Sequence, residues 1–379
     1  MTNPAHLTRP ILRGILLIGV LSAPLAVRAQ KVPPPSLAPA PGIYFDAVDK
    51  ARDLALAWME QIGTPGLSVA VGLGGELVWA EGYGYADLEN RVPVWPTTKF
   101  RIASISKSVT AAAIGKLVEG ELLDLDAPVQ EYVPSFPEKQ WPITTRQLGG
   151  HLAGIRHYRD NENLSSAHYD DVLDALEIFS ADPLVHEPES AYLYSSYGWN
   201  LISAVIQGAV EEPFLDYMRR EVFEPLAMNE TVAEHVDSLI YHRARFYFRT
   251  PENRIINTPF VDLSNKWAGG GFLSTASDLI RFGLAHLEPG FLKSETIELL
   301  WTSQRTQDGE PTTYGIGWHS EEMEGQRVVY HTGGATGGSD VLVILPDEEV
   351  VVAILTNLSS ERPTQLAIAI ANLFDAARR

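Results

Sequence analysis

Apolar positions recur along this 379-residue chain at two periods, and the period changes twice. Between Tyr44 and Ile62 the apolar positions Tyr44, Val48, Leu54, Ala55, Trp58 and Ile62 follow helical spacing and predict a first helix. Leu67-Ser68-Val69-Ala70-Val71 then alternates, Gly74-Gly75 offers a two-residue turn and Leu77-Val78-Trp79 continues, the pattern of a β-hairpin. A glycine- and tyrosine-rich loop is expected from Gly82 to Asn90, and Phe100 to Ala103 reads as extended. From Ser106 onward Val109, Ala113, Ile114, Leu117 and Val118 recur at spacings of three and four, which predicts an amphipathic helix. Helical patterning with long irregular connections dominates to about residue 290. Within it Thr275-Ala276-Ser277-Asp278 reads as a capping box opening a helix to His286. Strand-like runs return at Tyr314 to His319, Val328 to His331, Asp340 to Leu345 and Val350 to Leu355, with a turn at Pro346 to Glu349. An apolar-faced helix from Pro363 to Ala377 closes the chain. Front and back are therefore expected to build one sheet together (about 44–103 and 310–379), with the helical stretch of about 104–309 inserted.

Composition adds a leader and removes several function classes. Residues 1–29 carry Arg9, Arg13 and Arg28, no acidic residue, and an apolar run from Gly14 to Val27 before the small-residue site Val27-Arg28-Ala29. That is the pattern of a secretory signal peptide, too short for a comfortable membrane span. Export is the reading, to a bacterial periplasm, with mitochondrial import and an uncleaved anchor as alternatives; no stable membrane insertion is expected after cleavage. Residues 30–43 hold a proline-rich, solvated linker. The absence of cysteine excludes disulfides and thiolate metal sites. Loss of the three leader arginines takes the formal net charge from −19 to about −22, which makes a poor binder of nucleic acid.

The candidate chemistry begins at Ser104-Ile105-Ser106-Lys107, where a hydroxyl and an amine share one face of a helix start. A serine hydroxyl needs a base, and a lysine can serve if burial or a positive neighbour lowers its pKa. Alone, the tetrapeptide fits a helix N-cap serine and a surface lysine better. Tyr194, just before a helical stretch at Gly198, is a usable acid or base if a positive charge such as Lys107 lowers its pKa; its plain alternative is a half-buried tyrosine beside Tyr192 and Tyr197. His331-Thr332-Gly333-Gly334 follows a strand, and its glycines would let a ligand approach free backbone N–H groups. One such N–H with that of Ser104 would make an oxyanion hole, where a donor is worth roughly 3–4 kcal/mol of barrier.

Together these elements resemble the serine β-lactamase and penicillin-binding-protein superfamily, whose signature is Ser-x-x-Lys, a middle polar motif and a Lys-Thr-Gly strand. The resemblance runs from about Tyr44 to Ala377. It is nearest to class C-like enzymes and, more narrowly, to the mitochondrial serine β-lactamase-like branch and its bacterial relatives. Phe100 to Thr110, His151 to Tyr158, Arg243 to Tyr247, Trp267 to Thr275 and His331 to Gly334 carry it.

That resemblance implies an α/β plus all-α fold of the β-lactamase/transpeptidase type spanning 44–379: an antiparallel sheet flanked by N- and C-terminal helices, an inserted helical domain, and an active site between them. It implies Ser104 as acylated nucleophile, Lys107 as its partner base and Tyr194 as second proton-transfer group. Ser196 and Thr332 would meet substrate, and the N–H groups of Ser104 and Gly334 would hold the oxyanion. No cofactor and no metal are implied. The implied activity is a serine hydrolase of peptides or amides, with an ester or weak β-lactam and D,D-peptide hydrolase as runner-up. A non-catalytic scaffold and a homo-oligomer stay open.

Two departures bear on substrate. Ser196 stands where class C enzymes have asparagine, and His331 where they have lysine. If His331 must be protonated to hold a carboxylate, binding weakens from about pH 5.5 to 8. Other candidates fail on spacing. There is no Gly-x-Ser-x-Gly elbow, and His151 and His157 read as structural histidines. Pro188 excludes a zinc helix at His186, and no lysine follows Gly269-Gly270-Gly271 in phosphate-loop position.

Overall fold

The computed structural model describes residues 40–288 and 290–379; the expected leader and residues 30–39 of the expected linker lie outside them. The front of the chain forms α1 (Phe45–Ile62), the hairpin β1 (Gly66–Leu73) and β2 (Glu76–Asp87), and the short strands β3 (Val92–Pro93) and β4 (Phe100–Arg101). The middle holds α2 (Ile105–Glu119), α3 (Thr145–Gly149), α4 (Ser196–Val210), α5 (Phe214–Met218), β5 (Val232–Ala233), β6 (Tyr247–Arg249) and β7 (Ile255–Asn257). It continues through α6 (Trp267–Gly270), β8 (Phe272–Ser274), α7 (Ala276–Leu284) and α8 (Ser294–Trp301). The back supplies β9 (His319–Met323), β10 (Gln326–Ala335), β11 (Gly338–Leu345), β12 (Val350–Thr356) and α9 (Thr364–Arg378).

The two ends of the chain meet in one antiparallel sheet of order β3-β2-β1-β12-β11-β10-β9. The seam is β1 against β12, in register from Leu67 opposite Thr356 to Leu73 opposite Val350. Both faces of its centre are covered, so β12 reads as an unbroken apolar run. Val350, Val352 and Ile354 pack with Val48, Ala51 and Ala55 of α1 and Ile370 and Phe374 of α9. Val351, Ala353 and Leu355 belong to the other core, with Leu279, Ile280 and Phe282 of α7. Burying each such aliphatic side chain stabilises the fold by roughly 1.5–3 kcal/mol before entropy is counted. This is the β-lactamase/transpeptidase-like architecture, with the helical segment inserted between the two sheet-forming ends.

Several local expectations change. The stretch from Gly82 to Asn90 is strand as far as Asp87, because Gly82 and Gly84 let the backbones of Val94 and Pro65 pass close beside it. Tyr314 to Trp318 is not a strand: Gly317 has φ +78°, and the segment buries Tyr314, Ile316 and Trp318 as a loop. The strand instead begins at His319, in the acidic edge run His319-Ser320-Glu321-Glu322-Met323, which carries no apolar alternation to announce it. Helix α2 is buried on every side and not amphipathic. Its polar side chains survive there by bonding backbone: Ser108 Oγ donates to Gly317 O (2.6 Å) and Thr110 Oγ1 to Ala268 O (3.2 Å). Thr275 caps α7, accepting from Asp278 N, but the Asp278 carboxylate accepts from Glu230 N and Thr231 and so does not complete the box.

Candidate active site

The site is set by how the chain enters and leaves α2. Strand β4 pairs with β8, Phe100 opposite Ser274 and Arg101 opposite Leu273, and Ile102 N donates to Phe272 O at 3.1 Å. The pairing lays the turn from Lys266 to Gly271 alongside the start of α2. Ala103 is then held at φ +48°, a left-handed conformation uncommon for alanine, immediately before Ser104. Ser104 occupies the N-cap position yet caps nothing with its side chain. Its Oγ receives instead the Lys107 ammonium at 3.1 Å and the Tyr194 hydroxyl at 2.9 Å.

Lys107 is fully buried, so the surface-lysine alternative does not hold. Its Nζ also donates to Gly269 O at 2.6 Å and Ser196 Oγ at 3.3 Å, and no carboxylate lies within ion-pair distance among the described residues. Burial without a counter-charge pulls its pKa down to about 7, so the neutral amine is well populated at neutral pH.

Tyr194 behaves differently from the expectation. Loss of hydration pushes the phenol up to about 12, outweighing the hydrogen bond to Ser104 and the field of Arg362. It is a proton donor at neutral pH and not a phenolate. Two histidines hold its segment: His151 Nδ1 accepts from Ser195 N and His157 Nδ1 from Ser196 N, both at 3.1 Å, and the His151 ring lies 4.2 Å from that of Tyr194. Accepting at Nδ1 requires the neutral ring, in keeping with His157 being pushed down to about 4 by burial and by Lys107 and Lys266.

The sheet contributes β10. Its partner β9 accompanies it only from Gln326 to Tyr330, so from His331 to Ala335 its outer edge is unpaired and borders the cleft. Gly333 brings the strand against the entry to α2: a Cβ there would lie 2.6 Å from Ile102 O. His331 is buried, with Nε2 bonded to the Tyr314 hydroxyl and Nδ1 to Thr332 O, both at 2.8 Å. Burial, His319 and Lys107 hold it well below the ordinary histidine range. Burial therefore favours the neutral form of His331, against the partly charged ring expected from sequence.

A cavity of about 610 Å³ joins these groups, lined by Ser104, Tyr194, Ser196, His331, Thr332 and Gly334. Two cationic residues line it that the motifs did not indicate. Arg362 lies over Gly334, where a Cβ would meet its guanidinium Nη2. Lys266 immediately precedes the Trp267 to Thr275 segment and is buried in the helical wall. Neither sits in a recognisable spacing; only their nearness in sequence to Trp267 and to the last helix could have drawn attention. The arrangement places a hydroxyl between an amine poised near neutrality and a protonated phenol, at a helix N-terminus facing an unpaired strand edge. Chemically this can activate an oxygen nucleophile and return the proton.

Comparisons agree with this geometry. The β-lactamase family profile matches residues 51–374. The serine β-lactamase-like protein LACTB, mitochondrial, of Bos taurus is 35% identical over 88% of this chain and 80% of its own length. Among solved structures, the octameric penicillin-binding protein homologue from Pyrococcus abyssi has a TM-score of 0.74 at 26% identity, covering 86% of this chain and 77% of its own. The D-amino acid amidase from Ochrobactrum anthropi SV3 superposes with a TM-score of 0.73 at 22% identity, over 88% and 97% of the two chains, a likeness of fold.

Proposed function

The chain belongs to the β-lactamase family and has its serine-hydrolase fold, and from that premise we propose that it hydrolyses amide bonds, as a peptidase or amidase, through an acyl-enzyme on Ser104. The observation that carries the reading is the Lys107 amine, buried, without a counter-ion and 3.1 Å from Ser104 Oγ. In its neutral form Lys107 takes the Ser104 proton as Oγ bonds to the carbonyl carbon. The oxyanion then accepts from the backbone N–H groups of Ser104 and Gly334. Collapse breaks the C–N bond, and the leaving nitrogen receives the proton through Lys107 and the Tyr194 hydroxyl, which act as a coupled pair. Water enters by the reverse relay, releasing the acid and restoring Ser104. Ser196 and Thr332 line the cavity as substrate contacts.

Amide over β-lactam is favoured because His331 is neutral and bonded away to Tyr314 and Thr332, unlike the permanently charged lysine of the Lys-Thr-Gly motif. Ester hydrolysis is the alternative supported by the same machinery. A fluorophosphonate probe should label wild type and not Ser104→Ala; no labelling of an intact, folded wild type would favour the scaffold reading. Turnover of paired peptide anilides, esters and nitrocefin separates the substrate classes. For compartment, the leader supports export, and the mitochondrial naming of the relatives supports the alternative. Sequencing the mature N-terminus in each fraction decides between them. A homo-oligomer, as in the octameric Pyrococcus abyssi homologue, is tested by light scattering.

A further inference from the structure

Lys266 is a buried cation without an anion. Its residue is 6% exposed, its Nζ donates to Asn163 O at 3.0 Å, and it sits 5.1 Å from the centre of the Tyr158 ring. Among the described residues no carboxylate lies within 4 Å of it. The acidic groups nearby are engaged elsewhere. Asp262 accepts from Ser264 N and is bonded to His168 Nδ1, both at 2.8 Å; Glu162 pairs with Arg156 and Glu234 with Arg101. The remaining neighbours that act on it, Arg101 and Lys107, are of its own sign. A buried charge is costly unless it is paired, and one carbonyl and one ring face do not replace a counter-ion.

The same residue lines the cavity that contains Ser104. It stands three residues before Gly269, the carbonyl that holds Lys107, so the short turn into α6 ties both amines to one wall. Both lower the pKa of His157, which places them within electrostatic reach of one point in the site. The opposite wall offers no competing charge at the strand position, because both ring nitrogens of His331 are occupied. Arg101 is consumed by Glu234 and by Thr336 O, and Arg362 is exposed, on the strand side over Gly334.

We propose that Lys266 is the anion-recognition residue of the cleft and holds a carboxylate carried by the substrate. An ammonium has three donors, and one is taken by Asn163, which leaves two for the oxygens of a single carboxylate. The nearby Arg101 guanidinium is taken by Glu234 and Thr336 O, so among the described residues no free fork joins the amine, as a phosphate dianion would call for. Tyr158 and Leu263, lining the cavity beside it, would cover the apolar part of the same group. The substrate class is thus an amide bearing a carboxylate away from the scissile bond. This specificity rests on the hydrolase reading of Ser104.

The test separates binding from turnover. In the Ser104→Ala protein, N-succinyl-alanine amide and N-propionyl-alanine amide, which differ by one carboxylate, are titrated by calorimetry. The succinyl ligand should bind at least 10-fold tighter, Lys266→Met should erase that preference, and Lys266→Arg should restore most of it. Lys266→Gln serves if the methionine variant fails to fold. Equal affinities in the parent, or a preference that survives loss of the amine, would overturn the proposal. Fluorophosphonate labelling of Ser104 in wild type reports separately on the hydrolase reading, so either can fail without the other.

Discussion

Two buried lysines stand at one cavity, Lys266 in its lining and Lys107 behind Ser104 and Gly269, and their surroundings differ. At the Lys107 corner the amine touches two hydroxyls and a carbonyl, all of which tolerate a neutral nitrogen, and its pKa falls to about 7. At the Lys266 corner the amine also meets a carbonyl and a ring face, as Lys107 meets Gly269 O and the Tyr194 ring, but among the described residues it bonds no hydroxyl. Burial, Arg101 and Lys107 lower its pKa against the attraction of Asp262, to about 8. Burial lowers both amines, and it is the largest cause at each. What separates them is the partner: Ser104 Oγ lies within reach of Lys107, whereas the bonded partner of Lys266 is the Asn163 carbonyl.

The comparison can be broken at either corner. The largest effect should follow Lys107→Met, which leaves Ser104 without its base: the second-order rate of fluorophosphonate labelling should fall roughly 10²–10⁴-fold. Loss of less than tenfold would move the base elsewhere. Next comes Tyr194→Phe, which keeps the ring against His151 and removes the hydroxyl; kcat on an amide should drop roughly 10²-fold, and the loss should shrink for an ester with a good leaving group. At the other corner Lys266→Glu should invert the charge preference, so that kcat/KM for a carboxylate-bearing amide falls roughly tenfold or more relative to its neutral counterpart. The smallest effect is on stability. His151→Ala leaves Ser195 N–H without its acceptor and should cost about 1–3 kcal/mol, read as a lower Tm with the second-order labelling rate measured on the surviving fold.

Much of this was legible in the sequence, for identifiable reasons. Apolar runs such as Asp340 to Leu345 and Val350 to Leu355 mark strands covered on both faces, and they placed the sheet at the two ends of the chain. Ser104, Lys107, Tyr194 and the His331 to Gly334 strand were candidates from residue type and order, and the fold brings Ser104, Tyr194, His331, Thr332 and Gly334 to one cavity with Lys107 bonded behind Ser104. What sequence could not supply was burial. The pattern of α2 looked one-sided because Ser108 and Thr110 read as polar, yet both find backbone carbonyls inside the core. His331 looked half-charged because its partners Tyr314 and His319 arrive from a loop and an edge strand that carry no apolar alternation. Lys266 had no motif at all. Its character depends on Asn163 and Tyr158, a hundred residues away in the chain.

Activation of Ser104 by a neutral Lys107 is tested most directly by the pH dependence of labelling with an uncharged fluorophosphonate, the adduct mapped by peptide mass spectrometry. Because the amine must be deprotonated to act, the rate should rise about tenfold per pH unit below about 7 and level off above it. The adduct should lie on Ser104. A rate that keeps rising to pH 10, as for a lysine of ordinary pKa, or an adduct that persists in Ser104→Ala, would contradict it.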